Sequence, residues 1–154
     1  MLPDFRLETY FSRWEFNAKY NICASDAETI SVQELLEGAN EDDLRLWDNL
    51  TLAYTETYGS PVLREAIADT YDNMDPSDII TFTGAEEGIF AAMHALLSAD
   101  DHAIVLTPNY QSAETIPASI CEVTGIALDP TNNWELDIDL IQQAIKPNTK
   151  LISF

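Results

Sequence analysis

The chain has 154 residues, enough for one domain that buries roughly two thirds of its unfolded surface. Its 46% apolar content, with only 5 Gly and 7 Pro, excludes a disordered or low-complexity chain. The 27 acidic against 7 basic residues give a net charge of −20, a field that repels nucleic-acid backbones and anionic membranes. Cys23 and Cys121 form no CxxC pair or Cys/His cluster, so neither a disulfide framework nor a zinc site is expected, and a reduced cytosolic compartment fits best. No metal ligand set is expected. The opening MLPDFRLETYF lacks the apolar run of a signal peptide, and no window is long and apolar enough for a membrane helix.

Residues 1–50 read as an arm and a connecting piece. They hold Tyr10, Phe11, Trp14, Phe16 and Tyr20, then a helix candidate near Val32 to Leu36, then the acidic run Glu41-Asp42-Asp43. From Ser60 the pattern changes to helix alternating with strand. Ser60 and Pro61 start a helix whose stripe is Leu63, Ala66, Ile67, Thr70 and Tyr71. Asp78 to Phe82 reads as a buried strand, Gly84 as a turn, and Glu87 to Leu97 as a helix with Ile89, Phe90, Met93, Leu96 and Leu97 on one side. Ala103 to Leu106 is a strand and Gln111 to Ile120 a polar helix that Pro117 should interrupt. Glu122 to Leu128 is the next strand. Asp137 caps a helix bearing Leu140, Ile141, Ala144 and Ile145, Pro147 and Asn148 stop it, and Leu151 to Phe154 begins another strand. Such alternation predicts an α/β fold, a three-layer α/β/α arrangement around a mainly parallel sheet.

The segment Thr83-Gly84-Ala85-Glu86-Glu87-Gly88 lies between a predicted strand and a predicted helix. Free backbone N–H groups and the helix dipole favour an anion at such a place. An ordinary tight turn with acids stabilising the first helical turn explains the same residues. GxGxxG and GK[ST] are both absent. Glu86 and Glu87 place charge beside any bound anion, so an anion site requires their side chains to turn away.

Three further stretches bear on that choice. They are Leu52-Ala53-Tyr54-Thr55-Glu56-Thr57-Tyr58-Gly59-Ser60-Pro61-Val62-Leu63-Arg64-Glu65-Ala66-Ile67, then Thr107-Pro108-Asn109-Tyr110-Gln111, and finally Trp134 to Asp137 with Pro147 to Ile152. In this order, together with TGAEEG, they resemble the class I/II aminotransferases from about residue 50 onward. The resemblance implies a pyridoxal 5'-phosphate enzyme of fold type I, a homodimer with sites at the subunit boundary, with 51–154 an incomplete cofactor-binding large domain. Carried over by position, Gly84, Ala85 and Glu86 would hold the cofactor phosphate through backbone N–H groups. Tyr110 would stack on the pyridine ring, and Tyr54 would donate its hydroxyl to the partner's cofactor phosphate. Unassisted, Tyr54, Tyr58 and Tyr110 read as packing or loop aromatics.

Tyr10-Phe11 through Glu15-Phe16, followed by Ser25-Asp26-Ala27-Glu28, matches a narrower group of these enzymes. There the loop passes near the substrate carboxylate, which makes Ser25 and Asp26 substrate-loop candidates; capping of the following helix explains them equally. The family's catalytic lysine, its pyridinium-pairing acid and its carboxylate-clamping arginine all fall beyond Phe154. Lys19, Lys146 and Lys150 read as surface residues. His94 falls on the helix behind the turn and His102 in a polar loop, neither with a partner that makes it a base.

The resemblance therefore implies amino transfer between an amino acid and a 2-oxo acid, by a cytoplasmic biosynthetic enzyme of which this chain is an N-terminal fragment, inactive alone. A non-catalytic acidic binding or dimerisation module on the same fold is the other reading. Lyase, decarboxylase or cyclase chemistry also stays open, because the cofactor supplies the electron sink.

Overall fold

The computed structural model describes residues 2–23 and 27–154. Two compact units emerge, one made of the residues up to Phe16 with Thr81–Phe154, the other of Asn17–Ile80.

The first unit holds helix α1 (Arg6–Trp14), α5 (Ala85–Leu96), strand β1 (His102–Thr107), α6 (Gln111–Ile120), β2 (Glu122–Ala127), α7 (Ile138–Ala144) and β3 (Thr149–Ser153). The strands form an all-parallel sheet in the order β2-β1-β3. β1 is the centre, and Ala103, Ile104, Val105 and Leu106 are all buried, as a strand covered on both faces must be. Ile104 and Leu106 point to the side where Ile126 and Ile141 of α7 complete a core. On the other side Met93 of α5 and Leu97, which ends that helix, pack with Ile116 of α6, and Leu151 of β3 joins them. β1 supplies the first core directly, while β3 meets the second through Leu151, so helices are packed against the parallel sheet in an α/β arrangement.

Local chemistry sets the helix ends. Asp137 accepts the N–H groups of Asp139 and Leu140, which starts α7. Pro117 does not interrupt α6 as the sequence suggests. It is buried, and only one helical turn follows it, so the ring removes a single intrahelical donor while its own carbonyl still accepts the Cys121 N–H.

The second unit holds α2 (Val32–Glu37), α3 (Glu41–Asp48) and α4 (Pro61–Ala68). The acidic run begins α3, where Asn40 and Asp43 form a reciprocal capping box. Arg64 of α4 donates to the carbonyls of Gly59 at 3.2 Å and Pro76 at 2.9 Å, fixing the 3-10 turn Pro76–Asp78. That turn takes Asp78 out of the strand expected at 78–82. The rest of the segment joins no ladder, and Ile80 and Phe82 are exposed rather than buried. Apolar, β-branched composition makes a chain extended; it takes a hydrogen-bonded neighbour to make a strand.

Candidate functional site

The turn into α5 is built around Gly84. Its φ of +97° and ψ of 161° belong to a region that residues with a Cβ rarely enter. A Cβ built there meets nothing within 4 Å, so the space over the turn is open. The first N–H groups of α5 have no intrahelical acceptor by the geometry of a helix start. Glu87 is turned back on the chain, its Oε2 accepting the Thr83 N–H at 2.6 Å. One of the two acids flanking the turn is therefore engaged away from the open donors.

Tyr110 stands beyond the carboxyl end of β1, where parallel sheets place their ligands, as the residue capping α6. Its N–H donates to Asn109 Oδ1 at 2.7 Å, and the Asn109 N–H donates to Glu114 Oε1 at 2.7 Å, which fixes the loop before the helix. The ring is half exposed. Partial burial raises the Tyr110 hydroxyl above the ordinary phenol range, and the carboxylates of Glu86 and then Glu8 push it further, so it stays protonated at neutral pH. Glu86 lines one cleft with Phe5 and Gln111, the neighbours of Tyr110, so the Gly84-Ala85-Glu86 turn and Tyr110 share one neighbourhood.

Two residues that the sequence does not single out complete this neighbourhood. Phe5 meets Tyr110 with ring centroids 5.1 Å apart, tilted by 56°. Gln111 binds the same N-terminal segment through both ends of its amide. Below them lies a cleft of about 260 Å³ lined by Pro3, Phe5, Glu86, Phe90, Ser112 and Thr115. The buried Ser112 Oγ has no hydrogen-bond partner among the described residues. No local motif announces these contacts, which join positions more than a hundred residues apart.

Other site candidates lie elsewhere. Tyr54 belongs to the Asn17–Ile80 unit and its side chain is fully exposed. Ser25 and Asp26 fall outside the described residues. His102 is a correction: the sequence places it in a polar loop, yet it opens β1 and is completely buried. Its ring nitrogens lie 2.8 Å from Thr149 Oγ1 and 2.8 Å from Thr124 Oγ1. Two threonine hydroxyls replace the water it loses, which the neighbouring Asp100 and Asp101 conceal in the sequence. Lys146 pairs with Glu122 at 2.7 Å and Lys150 with Asp101 at 3.5 Å. Both sit at the amino end of the parallel sheet, about 20 Å of strand away from Tyr110 at roughly 3.3 Å per residue. No three His, Cys, Asp or Glu side chains among the described residues gather as a metal site.

Similarity to known proteins fits this geometry. The family model described as aminotransferase class I and II matches residues 18–154. A probable N-acetyl-LL-diaminopimelate aminotransferase of Bacillus subtilis (strain 168) is 35% identical over 114 residues, covering 68% of this chain and 28% of that protein. An aspartate aminotransferase of Pyrococcus horikoshii is 30% identical over 105 residues, covering 64% of this chain and 27% of that protein. The crystal structure of a PLP-dependent aminotransferase from Streptococcus suis 89-1591 is 29% identical and has a TM-score of 0.88, covering 98% of this chain and 41% of that one. The chain thus spans less than half the length of each of these relatives.

Proposed function

Because the chain belongs to the class I and II aminotransferase family, we propose that it carries the cofactor-seating part of a pyridoxal 5'-phosphate-dependent aminotransferase. The reaction is amino transfer between an amino acid and a 2-oxo acid. The observation that carries this reading is the open, glycine-built turn at Gly84, with Tyr110 in its neighbourhood beyond the carboxyl end of β1.

The donor set fits the group. Backbone N–H groups of Ala85 and Glu86 supply hydrogen-bond donors and a positive helix end for a phosphate. The Thr83 N–H holds one Glu87 oxygen without cancelling its charge, and Glu86 lines the neighbouring cleft, so a bound phosphate requires both carboxylates to stay turned from the Ala85 and Glu86 N–H groups. Tyr110 offers an aromatic face for the pyridine ring. Its raised hydroxyl stays neutral and adds no charge beside the phosphate. When bound, pyridoxal phosphate supplies an electron sink for chemistry at an amino acid's α-carbon.

Several parts of the reading rest on the resemblance. They are Tyr54 reaching a partner subunit's cofactor phosphate in a homodimer, Ser25 and Asp26 near the substrate, and a cytoplasmic, biosynthetic setting. Neither Lys146 nor Lys150 supports a role as the cofactor-attaching lysine, since both lie at the far end of the sheet in ion pairs. Lys19 lies in the Asn17–Ile80 unit over the Tyr20 ring, and the reading of the chain as an N-terminal fragment without turnover of its own rests on the resemblance. Among the described residues no helix is long and apolar enough to cross a membrane.

Calorimetric titration tests the phosphate seat. The chain is expected to bind pyridoxal phosphate at least about tenfold more tightly than pyridoxal, the scale of a hydrogen bond to a charged group. Equal affinity for the two compounds means the Gly84 turn is a helix start and nothing more.

A further inference from the structure

The N-terminal segment before α1 is held by one side chain. Gln111 Oε1 accepts the Arg6 N–H at 2.9 Å, and Gln111 Nε2 donates to the Asp4 carbonyl at 2.8 Å. In an extended chain the carbonyl of one residue and the N–H two residues on point to the same edge, so a planar amide meets both as a neighbouring strand would. Phe5, the residue between them, is extended, with φ −77° and ψ 101°. It caps α1 but has no side-chain acceptor to offer, and Gln111 satisfies one of the free donors of the helix start from 105 residues away.

From these contacts we propose that Gln111 is a positioning residue. It latches a strap, Pro3–Arg6, onto the start of α6, and through Phe5 the strap fixes the ring of Tyr110. The proposal rests on the reading of Tyr110 as the ring that stacks on the cofactor. Tyr110 caps α6 with its backbone, which leaves its side-chain rotation to be fixed by neighbours, and the Phe5 ring is the aromatic contact in place. A tilted aromatic pair at this distance is an attractive arrangement that engages one side of each ring. A ring held before the ligand arrives loses less freedom on stacking, and binding tightens accordingly. A carboxamide carries its donor and its acceptor on one carbon in a neutral planar group, matching a neighbouring peptide edge, and Gln reaches further than Asn.

The test uses the full chain labelled with fluorotyrosine, with the Tyr110 signal assigned by Tyr110→Phe. Gln111→Leu removes both bonds at constant charge. It should speed exchange of the Arg6 amide by about tenfold, the loss of one or two hydrogen bonds. It should also move the Tyr110 fluorine signal toward that of an exposed tyrosine, as Phe5→Leu should without loosening Arg6. Affinity for pyridoxal phosphate should fall about three- to tenfold, the scale of one newly mobile side chain. Gln111→Glu guards against a misfolded leucine variant. Its carboxylate keeps the Arg6 bond and repels the Asp4 carbonyl, and acidification through the carboxyl range restores an O–H donor and with it the strap. The latch is overturned if Arg6 exchanges equally fast in the unaltered chain and both Gln111 variants, or if Tyr110 ignores them. If the latch results hold but pyridoxal phosphate never shifts the Tyr110 signal in the unaltered chain, the stacking reading fails and the latch stands.

Discussion

Gly84 is where a single residue decides most. Crowding is the intuitive reason to expect damage from a side chain here, yet an added Cβ meets nothing within 4 Å. The obstacle is the backbone, since φ +97° with ψ 161° is a glycine conformation. Gly84→Ala is therefore expected to cost about 1–3 kcal/mol in urea unfolding, with Gly84→Val within about 1 kcal/mol of it. A valine variant far worse than the alanine one would restore crowding as the cause. The role of this position is legible in the sequence, because a glycine between a strand-like segment and a helix is a local pattern. The place of Tyr110 just before α6 is legible on the same ground, since the helix start at Gln111 is a local pattern, whereas its stacking role enters only through the resemblance. Phe5 and Gln111 are not: what defines them is each other's position in space, and neither residue type signals it.

Among the elements, β1 and its histidine show how a polar group is carried into a core. Thr149 Oγ1 already accepts the Lys146 N–H at 2.7 Å. Its hydroxyl hydrogen is then free to point at His102 Nδ1, which leaves Nε2–H to donate to Thr124. A neutral imidazole satisfies both threonines, one on each neighbouring strand. His102→Leu keeps the volume roughly but strands two hydroxyls, and unfolding free energy should drop by about 2–4 kcal/mol. A change under about 0.5 kcal/mol in denaturant melts would mean that the hydroxyls find other partners.

Elements with strong periodicity, α5 and α7, and the apolar strands β1 and β2 are visible in the sequence. α3 is marked instead by its cap, Asn40 with Asp43, and by acids at a helix start; an acidic run viewed only as charge hides it. The segment at 78–82 errs the other way, with strand composition but no ladder partner. Long-range pairing, which no local window contains, separates the two outcomes.

For the molecule as a whole, charge is the property that stands out. With −20 on 154 residues, repulsion works against compactness. Raising salt from about 0.02 M to about 0.5 M shortens the screening length several-fold and should raise the melting temperature by at least about 3 °C. A melting point that ignores salt would show that the acids are already compensated locally, as Asp101 is by Ser98 and Lys150.

The threonine clamp on His102 also measures the chain's tolerance for length. Its two arms close segments of 22 and 47 positions. Loop-closure entropy grows only as the logarithm of length, so the longer arm costs about 0.7 kcal/mol more than the shorter. Extending the exposed turn after Asn133 by about ten Gly/Ser residues adds only about 0.2 kcal/mol, and unfolding measurements should not resolve the change. A loss above about 1 kcal/mol would mean that this turn is itself part of what holds β3 in place. The sheet's third strand is held by its contacts with β1 and is nearly indifferent to how long a path the chain takes to reach them.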